Sequence, residues 1–217
     1  MKQTCSHQYI KMKKVFSRYQ DISTLYDEIS LGEDQMVLYK KFTNITFTDN
    51  IKYYSFENCL FDNCTFQGNF VNSTFCNVKF NKCDFSNITL NNCGIQKAYF
   101  DSCRMVGTNI INTKIVACDF INSNLYMINL DEVKFEDLIF ENIKMSSSNI
   151  TEVEIKDSKF KDVDFTSSEF VKTPLDRVDL SESKLDGIII SPEFLKGVIV
   201  TEIQAIDFIN LLEINIK

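Results

Sequence analysis

The stretch from Phe80 to Phe100 reads FNKCD FSNIT LNNCG IQKAY F, in which every fifth residue is large and apolar. The same spacing continues from Phe70 to Val200, where 27 consecutive fifth residues are Phe, Leu, Ile, Met or Val. With 44% of the chain hydrophobic, chance would produce such a run with a probability on the order of 10⁻¹⁰. A period of five fits neither an α-helix nor a flat strand, because their side-chain periods are about 3.6 and 2 residues.

A second inward position lies two residues before each large one. From Ser73 to Val198 it holds mostly small or aliphatic residues, and Glu193 is its only charged member. The remaining three residues of each unit are mostly polar, so the backbone must turn once per unit. Four such turns close a square coil of about twenty residues, and residues one coil apart should stack at about 4.8 Å. The predicted core column is Phe80, Phe100, Phe120, Phe140, Phe160 and Leu180.

The repeat shortens by one residue at two places. The step from Phe66 to Phe70 is four residues, and the step from Phe47 to Phe56 is nine residues instead of ten. We interpret both places as tight or irregular corners of the coil.

The repeat unit resembles that of the pentapeptide-repeat proteins, which is usually summarised as A-(D/N)-L-x-x. Segments such as Cys83-Asp84-Phe85-Ser86-Asn87 and Val178-Asp179-Leu180-Ser181-Glu182 carry the resemblance, which extends from Phe42 to Val200. It implies an all-β solenoid, a right-handed quadrilateral β-helix, over residues 42–200. We expect residues 1–41 to form an N-terminal helical cap or arm, with an amphipathic helix from about Lys14 to Ile29. Residues 201–217 should form a C-terminal capping or dimerisation helix.

Composition limits the possible functions. The chain has 217 residues, no apolar run long enough to span a membrane and no signal-peptide core. We therefore expect a cytoplasmic protein without a membrane partner. It has no glycine-rich phosphate loop, its single histidine is His7, and a filled coil offers no substrate cavity. These observations predict no catalytic residues, no metal, no cofactor and no small-molecule substrate, so the protein should not be an enzyme.

Six of the eight cysteines occupy the small inward position: Cys59, Cys64, Cys83, Cys93, Cys103 and Cys118. The simplest interpretation is that cysteine acts there as a small hydrophobic residue. Cys83 and Cys103 are one coil apart, so a disulfide between them is sterically conceivable, although thiols in the cytoplasm are expected to be reduced.

Acidic residues concentrate in the last coils. The chain has a net charge of −7, and between Asp131 and Glu193 there are sixteen acids and eight bases. The coil register places ten of these acids on or beside two adjoining faces, the faces of Ile150 and Ile155, and such a side should steer basic surfaces toward it and repel nucleic acid. These candidate partner-binding acids are Asp131, Glu132, Glu136, Asp137, Glu152, Glu154, Asp157, Glu169, Asp176 and Glu193.

The C-terminal segment carries more apolar residues than one coil end covers. Thr201 should begin a helix, with Gln204 completing a capping box. Two-fold association through this end would bury the surplus. The predicted dimerisation residues are Ile203, Ile206, Phe208, Ile209, Leu211, Leu212, Ile214 and Ile216.

The same ending resembles the tail of the Qnr and MfpA group of pentapeptide-repeat proteins. The matching residues are Leu185-Asp186-Gly187, Leu195-Lys196-Gly197-Val198, Gln204-Ala205 and Leu211-Leu212. The resemblance implies a homodimer that imitates DNA and binds a type II topoisomerase, DNA gyrase or topoisomerase IV, either inhibiting it or protecting it from quinolones. The chain has no insertion after Phe70, so it is closer to the loopless MfpA pattern than to the looped Qnr proteins of Gram-negative bacteria.

Two other interpretations stay open at this point. The protein could be a structural or adaptor solenoid that binds a different protein partner, and the rows of acids could simply be a solvated surface. Charge mimicry predicts binding that weakens steeply with salt, whereas an apolar adaptor surface predicts little change.

Overall fold

The fold is seen in a computed structural model, which describes residues 20–22 and 36–211. In this part the chain winds into a four-sided solenoid, and the strands of successive coils pair in parallel with a repeat of 20 residues, or 19 near the N-terminal end. We number the sides as faces 1 to 4, in the order in which each coil visits them. The quadrilateral β-helix predicted from the period of five is confirmed.

Faces 1 and 3 are eight-stranded parallel sheets. Face 1 consists of β1 (Gln20–Ile22), β3 (Lys40–Thr43), β7 (Leu60–Asp62), β11 (Lys79–Asn81), β14 (Tyr99–Asp101), β17 (Asp119–Ile121), β20 (Ile139–Lys144) and β23 (Lys159–Asp164). Face 3 consists of β5 (Ile51–Lys52), β9 (Phe70–Val71), β12 (Thr89–Asn91), β15 (Asn109–Ile111), β18 (Asn129–Asp131), β21 (Asn149–Thr151), β24 (Glu169–Val171) and β25 (Ile189–Ile190).

Faces 2 and 4 complete the square. Face 4 is a seven-stranded sheet of β2 (Met36–Leu38), β6 (Ser55–Glu57), β10 (Thr74–Cys76), β13 (Gly94–Gln96), β16 (Lys114–Val116), β19 (Lys134–Glu136) and β22 (Glu154–Lys156). Face 2 contains β4 (Thr46–Phe47) and β8 (Thr65–Phe66) and continues as single bridges through Asp84, Arg104, Asn124 and Lys144, and then from Asp164 to Lys184. A 3₁₀-helix (Pro192–Leu195) and helix α1 (Glu202–Leu211) follow.

The core consists of the large residue of each five-residue unit, stacked from coil to coil. In the face 1 column the ring centroids are 4.8 Å apart for Phe80–Phe100, 4.5 Å for Phe100–Phe120, 5.0 Å for Phe120–Phe140 and 5.1 Å for Phe140–Phe160. Leu180 is buried above Phe160 in the same column. This parallel stacking keeps each ring from Phe80 to Phe140 between two other rings.

The second inward position holds buried residues whose polar atoms bond to the neighbouring coil. The Thr108 hydroxyl donates to the carbonyl of Phe85 at 2.7 Å, and the Ser168 hydroxyl donates to the carbonyl of Met145 at 2.8 Å. Because a buried hydroxyl without a partner is costly, these bonds explain why serine and threonine alternate there with valine and cysteine.

The corners require a left-handed backbone. Among the described residues, 26 non-glycine residues have φ between 48° and 62°, and ten of them are asparagine. Asparagine tolerates this region better than most residues. Its side chains also stack between coils, as in the 2.6 Å bond from Asn63 Nδ2 to Asn44 Oδ1 and the 2.8 Å bond from Asn142 Nδ2 to Asn122 Oδ1. The corners are therefore tied together outside the core as well as inside it.

The two shortened steps lie at the same corner of consecutive coils, between faces 2 and 3. Phe47 pairs with Phe66, and Ile51 pairs with Phe70, so both coils lose one residue at the same place and the stack stays in register. At this corner a Cβ atom on Gly68 would lie 1.9 Å from the carbonyl oxygen of Asp49. The tight corner predicted from the spacing thus depends on a glycine whose backbone lies against the preceding coil.

The N-terminal side differs from the sequence-based expectation. The helix predicted from Lys14 to Ile29 lies mostly outside the described residues, but Gln20–Ile22 within it form β1, a strand paired with β3. The helix prediction is wrong for those three residues, because pairing with the sheet edge prevails over a local apolar pattern. The solenoid also begins before residue 42, since β2 already pairs with β6. A helical cap or arm formed by the other residues of 1–41 stays a prediction.

The start of the C-terminal helix is hydrogen-bonded to the last coil through Gln204. Gln204 Oε1 accepts from the Thr201 amide at 2.7 Å, and the Thr201 hydroxyl accepts from the Gln204 amide at 3.3 Å, which is the predicted capping box. Gln204 Nε2 also donates to the carbonyls of Leu180 and Ser183, at 3.0 and 2.8 Å. The start of α1 is therefore hydrogen-bonded to the coil beneath it.

Removing one ring from the core column should be costly. We expect Phe120→Ala to lower the free energy of unfolding by about 3–5 kcal/mol, the usual loss for a buried phenylalanine, measured by denaturant unfolding. Tyr126→Ala, at a residue that is 40% exposed, serves as the control and should cost less than about 1 kcal/mol. A loss below about 1 kcal/mol for Phe120→Ala would contradict the importance of the column.

The tight corner gives a matched pair of glycine substitutions. Gly68→Ala places a methyl group against a backbone carbonyl and should destabilise the protein by about 1–3 kcal/mol. Gly94→Ala should be neutral or slightly stabilising, because its Cβ atom would meet nothing nearer than Thr74 Cγ2 at 3.5 Å. Equal melting temperatures for the two variants would show that the corner relaxes freely.

Candidate interaction surface

Face 4 carries a ladder of ion pairs rather than a bare acidic surface. Glu136 lies between Lys114, at 3.3 Å, and Lys156, at 3.9 Å. On the same face Lys134 pairs with Glu154 at 2.9 Å. The strands of this face carry three lysines and three glutamates, so the face is close to neutral, and the charges of Glu136 and Glu154 are compensated by neighbouring lysines.

Three more of the predicted acids have basic neighbours at or beside the corners. Glu152 pairs with Lys172 at 2.7 Å, Asp157 lies 4.0 Å from Lys156, and Asp176 lies 3.5 Å from Arg177. All these side chains are largely exposed, so the pairs contribute little to stability. Their main effect is to reduce the negative electrostatic potential that a binding partner would meet.

Five predicted acids form no ion pair with any described residue: Asp131, Glu132, Asp137, Glu169 and Glu193. Asp131 and Glu169 lie on face 3, and Glu132 lies at the corner that follows it. Asp137 lies at the corner between faces 4 and 1, and Glu193 lies in the 3₁₀-helix. The structure therefore brings three of the five together on one side of the solenoid.

Face 3 has no lysine or arginine in its strands from β9 to β25. These seven strands extend over about 29 Å at about 4.8 Å per strand. Their outward residues are asparagine, threonine, valine and isoleucine, together with the two acids Asp131 and Glu169. Faces 1, 2 and 4 each carry several basic residues, whereas the strands of face 3 carry one, Lys52 on β5, which lies four strands before Asp131.

A neutral ridge runs along the corner between faces 2 and 3. Its corner residues from Asn87 to Ser167 are uncharged, and Tyr126 and Met127 are 40% and 52% exposed at its middle. Met127 is held in the left-handed region, with φ of 57°. The sequence analysis did not predict a surface at Tyr126 and Met127. Two large apolar residues at outward positions of the repeat could have indicated it.

The inward cysteines are buried and chemically inert. Burial raises the pKa of the Cys59 thiol to about 11 and that of Cys118 to about 12. The thiol of the cysteine in the next coil, together with burial, raises the pKa of Cys64 and of Cys83 further still. In the described part of the chain, no group of His, Cys, Asp or Glu is arranged to hold a metal ion. These cysteines therefore behave as packing residues.

Helix α1 presents an apolar side that the described residues leave uncovered. Ile203 and Ile206 are 77% and 54% exposed, whereas Phe208 is buried against the last coil and Ile209 is half-buried. Leu211 is the last residue of the helix. The other predicted dimerisation residues, Leu212, Ile214 and Ile216, lie outside the described residues. The exposed pair is the part of the predicted dimer surface that the structure places at the end of the solenoid.

Two family models match the chain. A model described as a pentapeptide repeat region matches residues 113–190, and one described as pentapeptide repeats (8 copies) matches residues 69–107. Together they cover more than half of the chain, and they match coils whose five-residue step is visible in the structure. The chain belongs to the pentapeptide-repeat family. No helix among the described residues of this pentapeptide-repeat protein is long and apolar enough to cross a membrane.

Solved structures with a similar shape include three pentapeptide-repeat solenoids at low sequence identity. A trypsin-treated form of QnrB1, a plasmid-mediated fluoroquinolone resistance protein, is 15% identical, with 84% of this chain and 100% of that chain covered and a TM-score of 0.44. HetL from the cyanobacterium Nostoc, involved in heterocyst differentiation regulation, is 10% identical, with 76% and 87% covered and a TM-score of 0.28. Rfr23 from the cyanobacterium Cyanothece is 13% identical, with 79% and 95% covered and a TM-score of 0.24. A comparison with curated protein sequences finds no match.

Thiol reactivity tests the packing role of the cysteines. In the native protein at pH 8, we expect Cys76, which is half-buried, to react with Ellman's reagent much faster than the six inward cysteines, because all six are buried in the core and the raised pKa values of Cys59, Cys64, Cys83, Cys93 and Cys118 keep those thiols protonated. Cys76→Ser should remove the fast phase assigned to the described residues, and Cys5→Ser controls for the cysteine outside them. Rapid labelling of Cys83 or Cys118, located by mass spectrometry, would show that the coil opens easily.

Proposed function

We propose that this pentapeptide-repeat protein binds a type II topoisomerase, DNA gyrase or topoisomerase IV, by presenting face 3 in place of DNA. The observation that carries the proposal is the unpaired negative charge of Asp131, Glu132 and Glu169 beside a strand surface without cations. A DNA-binding channel is lined with basic groups that neutralise phosphates. The part of face 3 from β9 to β25 holds no cation in its strands, so it meets such a channel without like-charge repulsion.

The rigidity of the solenoid supports this role. The acids are attached to strands whose inward residues are buried and stacked in both directions, so the spacing of the charges changes little in solution. Because the interaction is electrostatic, association should be fast at low salt and weaken steeply as salt rises. The protein would act in the cytoplasm by binding rather than by catalysis, and it would not bind nucleic acid itself.

The dimer belongs to the same proposal. Ile203 and Ile206 lie on the exposed side of α1 at the end of the solenoid, and a two-fold contact through them would bury both copies of this apolar surface. Such a dimer doubles the length of the acidic rod. It also places two copies of face 3 on one continuous assembly.

The neutral ridge favours a second candidate function, an adaptor that binds a different protein. Interface centres are depleted in charge and enriched in tyrosine and methionine, which describes the surroundings of Tyr126 and Met127. Binding through this ridge should change little with salt. The dependence of affinity on salt therefore distinguishes the adaptor from the DNA mimic.

A gyrase assay tests the first function. Supercoiling by purified gyrase is titrated with the protein, with and without ciprofloxacin. Restored supercoiling in the presence of drug would show protection, and inhibition without rescue would show mimicry. No effect at roughly tens of micromolar protein, a concentration that detects even weak binding, would contradict the proposal and favour the adaptor.

The triple variant Asp131→Lys, Glu132→Lys, Glu169→Lys locates the surface. It should raise the protein concentration needed for half-maximal effect by at least about tenfold, because attraction becomes repulsion. The control variant Glu141→Lys, Asp162→Lys, Glu182→Lys makes the same change of charge on face 1 and the corner after it, and should shift that concentration by less than about threefold. Equal shifts would mean that only net charge matters.

Sedimentation tests the dimer. The wild-type protein should sediment at twice the mass of one chain, and Ile203→Asp with Ile206→Asp should produce monomers with an unchanged circular dichroism spectrum. Met127→Asp introduces the same charge on an exposed apolar residue far from α1 and should leave the dimer intact. A monomeric wild-type protein at micromolar concentration contradicts the dimer without affecting the proposal for face 3.

A further inference from the structure

One coil carries an exposed apolar pair and two unpaired acids on adjoining sides of the solenoid. Around the corner from face 2 to face 3, its outward residues are Tyr126, Met127, Asn129, Asp131 and Glu132. Tyr126 and Met127 are 40% and 52% exposed, and the two acids form no ion pair with a described residue. Because a chain extends by at most about 3.6 Å per residue, Met127 and Asp131 lie within about 14 Å of each other.

The apolar pair projects above its surroundings from a fixed backbone. The Met127 amide donates to the carbonyl of Ser146 in the following coil at 3.0 Å, and the Tyr126 carbonyl accepts from the Gly107 amide in the preceding coil at 3.0 Å. In both coils the residues at the equivalent outward positions are smaller: Val106, Gly107, Ser146 and Ser147. Because the backbone is already held on both sides, little conformational freedom is lost when a partner covers the two side chains.

The charge of face 3 supplies only part of a likeness to DNA. Over the length of about 29 Å from β9 to β25, a duplex carries about 17 negative charges, at one per about 1.7 Å. Face 3 and its corner present three uncompensated acids in the same length, Asp131, Glu132 and Glu169. A basic channel therefore gains less electrostatic energy from this surface than from DNA, and a stable complex needs uncharged contacts as well.

Tyr126 and Met127 have the chemistry of such a contact. Interfaces concentrate their binding energy in a few central residues, among which tyrosine is enriched, and polar neighbours exclude water from around them. Here the half-buried Asn124 lies on the face 2 side of the pair, and the half-buried Asn129 lies on the face 3 side. The pair therefore has the apolar centre and the uncharged polar surroundings of an interface core.

The charges beside the pair give it a direction. On the face 2 side, Arg104 lies 3.9 Å from Asp84, and Lys144 lies opposite Asp164 in the neighbouring coil, so each cation there has an acid next to it. On the face 3 side, the acids of the same coil have no described cation within ion-pair distance. A complementary partner has an apolar pocket with a lysine or arginine on one side of it, the side that faces these acids.

We infer that Tyr126 and Met127 are the apolar anchor of the topoisomerase complex. They fill an apolar pocket in the DNA-binding surface of the enzyme, and the lysine or arginine beside that pocket meets Asp131 and Glu132. The inference rests on the proposed function and adds to its charges an uncharged contact that determines which basic surfaces the protein binds. The neutral ridge and the acids of face 3 then belong to one interface.

A double substitution removes the anchor without a change of charge. Tyr126→Ser with Met127→Asn copies Ser86 and Asn87, which occupy the same two columns two coils earlier, and asparagine suits the left-handed corner. The variant should therefore fold with an unchanged melting temperature. In the gyrase supercoiling assay, it should raise the protein concentration needed for half-maximal effect by at least about tenfold, as the loss of a central aromatic contact does.

A matched control and a change of salt isolate the contribution of the anchor. Val116→Thr with Ile121→Thr replaces two half-buried apolar side chains on faces 4 and 1 and should shift the half-maximal concentration by less than about threefold. The shift caused by the anchor variant should be the same at about 50 and about 200 mM salt, whereas the shift caused by Asp131→Asn with Glu132→Gln should shrink, because salt screens charges.

The assay separates failure of the inference from failure of the proposed function. If the wild-type protein acts on gyrase and the anchor variant acts equally well, the inference is wrong and the proposed function stands. If the wild-type protein has no effect on gyrase, both are wrong.

Photo-cross-linking locates the pocket. The full chain with Tyr126→p-benzoyl-phenylalanine is irradiated together with purified gyrase, and the products are located by mass spectrometry. We expect cross-links to gyrase residues next to a lysine or arginine of the DNA-binding surface, and an excess of DNA duplex should prevent them. Cross-links that DNA does not prevent, or cross-links only between two copies of this chain, would overturn the inference.

Discussion

The structure depends on one constraint, the parallel pairing of each coil with the next after 19 or 20 residues. This pairing places every side chain on top of its equivalent in the neighbouring coil. Inward residues must therefore stack like on like, which large apolar rings do well. Outward residues are stacked in the same way, so the surface is also organised in columns. The composition of each column is limited by which side chains can lie next to their equivalents in the neighbouring coil.

Columns of equal charge are unfavourable, and the faces solve this problem differently. Face 4 places lysine and glutamate of neighbouring coils within ion-pair distance, as in Lys134 and Glu154. Face 3 and the corners use asparagine, whose amide both donates and accepts, so that Asn142 can stack on Asn122 without repulsion. The acids of face 3 occur in separate columns, since Asp131 and Glu169 lie at opposite ends of their strands. Unpaired charge is therefore tolerated there without a compensating lysine.

The stacking of the inward side chains can be predicted from the sequence. Spacing alone identifies the core column through Phe120, the shortened corner at Gly68 and the cap formed by Thr201 and Gln204. The arrangement of the outward charges is harder to predict from the sequence. An ion pair such as Lys114 with Glu136 joins residues of different columns, so the number of charges on each face does not reveal it. The strand at Gln20–Ile22 was also missed, since its partner β3 lies twenty residues away and the local pattern favours a helix.

Separation of inward and outward positions has a consequence for function. Within each unit of five residues, two residues determine stability and three determine the surface, so a face can change its charge without a change in the coil. Face 3 and the ridge of Tyr126 and Met127 are attached to the same core yet have different chemistry. Asp119 is an exception, because it is an outward residue that is buried like an inward one. Burial of that carboxylate, together with the negative charge of Asp137, disfavours its charged form and raises the pKa of Asp119 to about 6, so an outward position of the coil need not stay fully ionised at neutral pH.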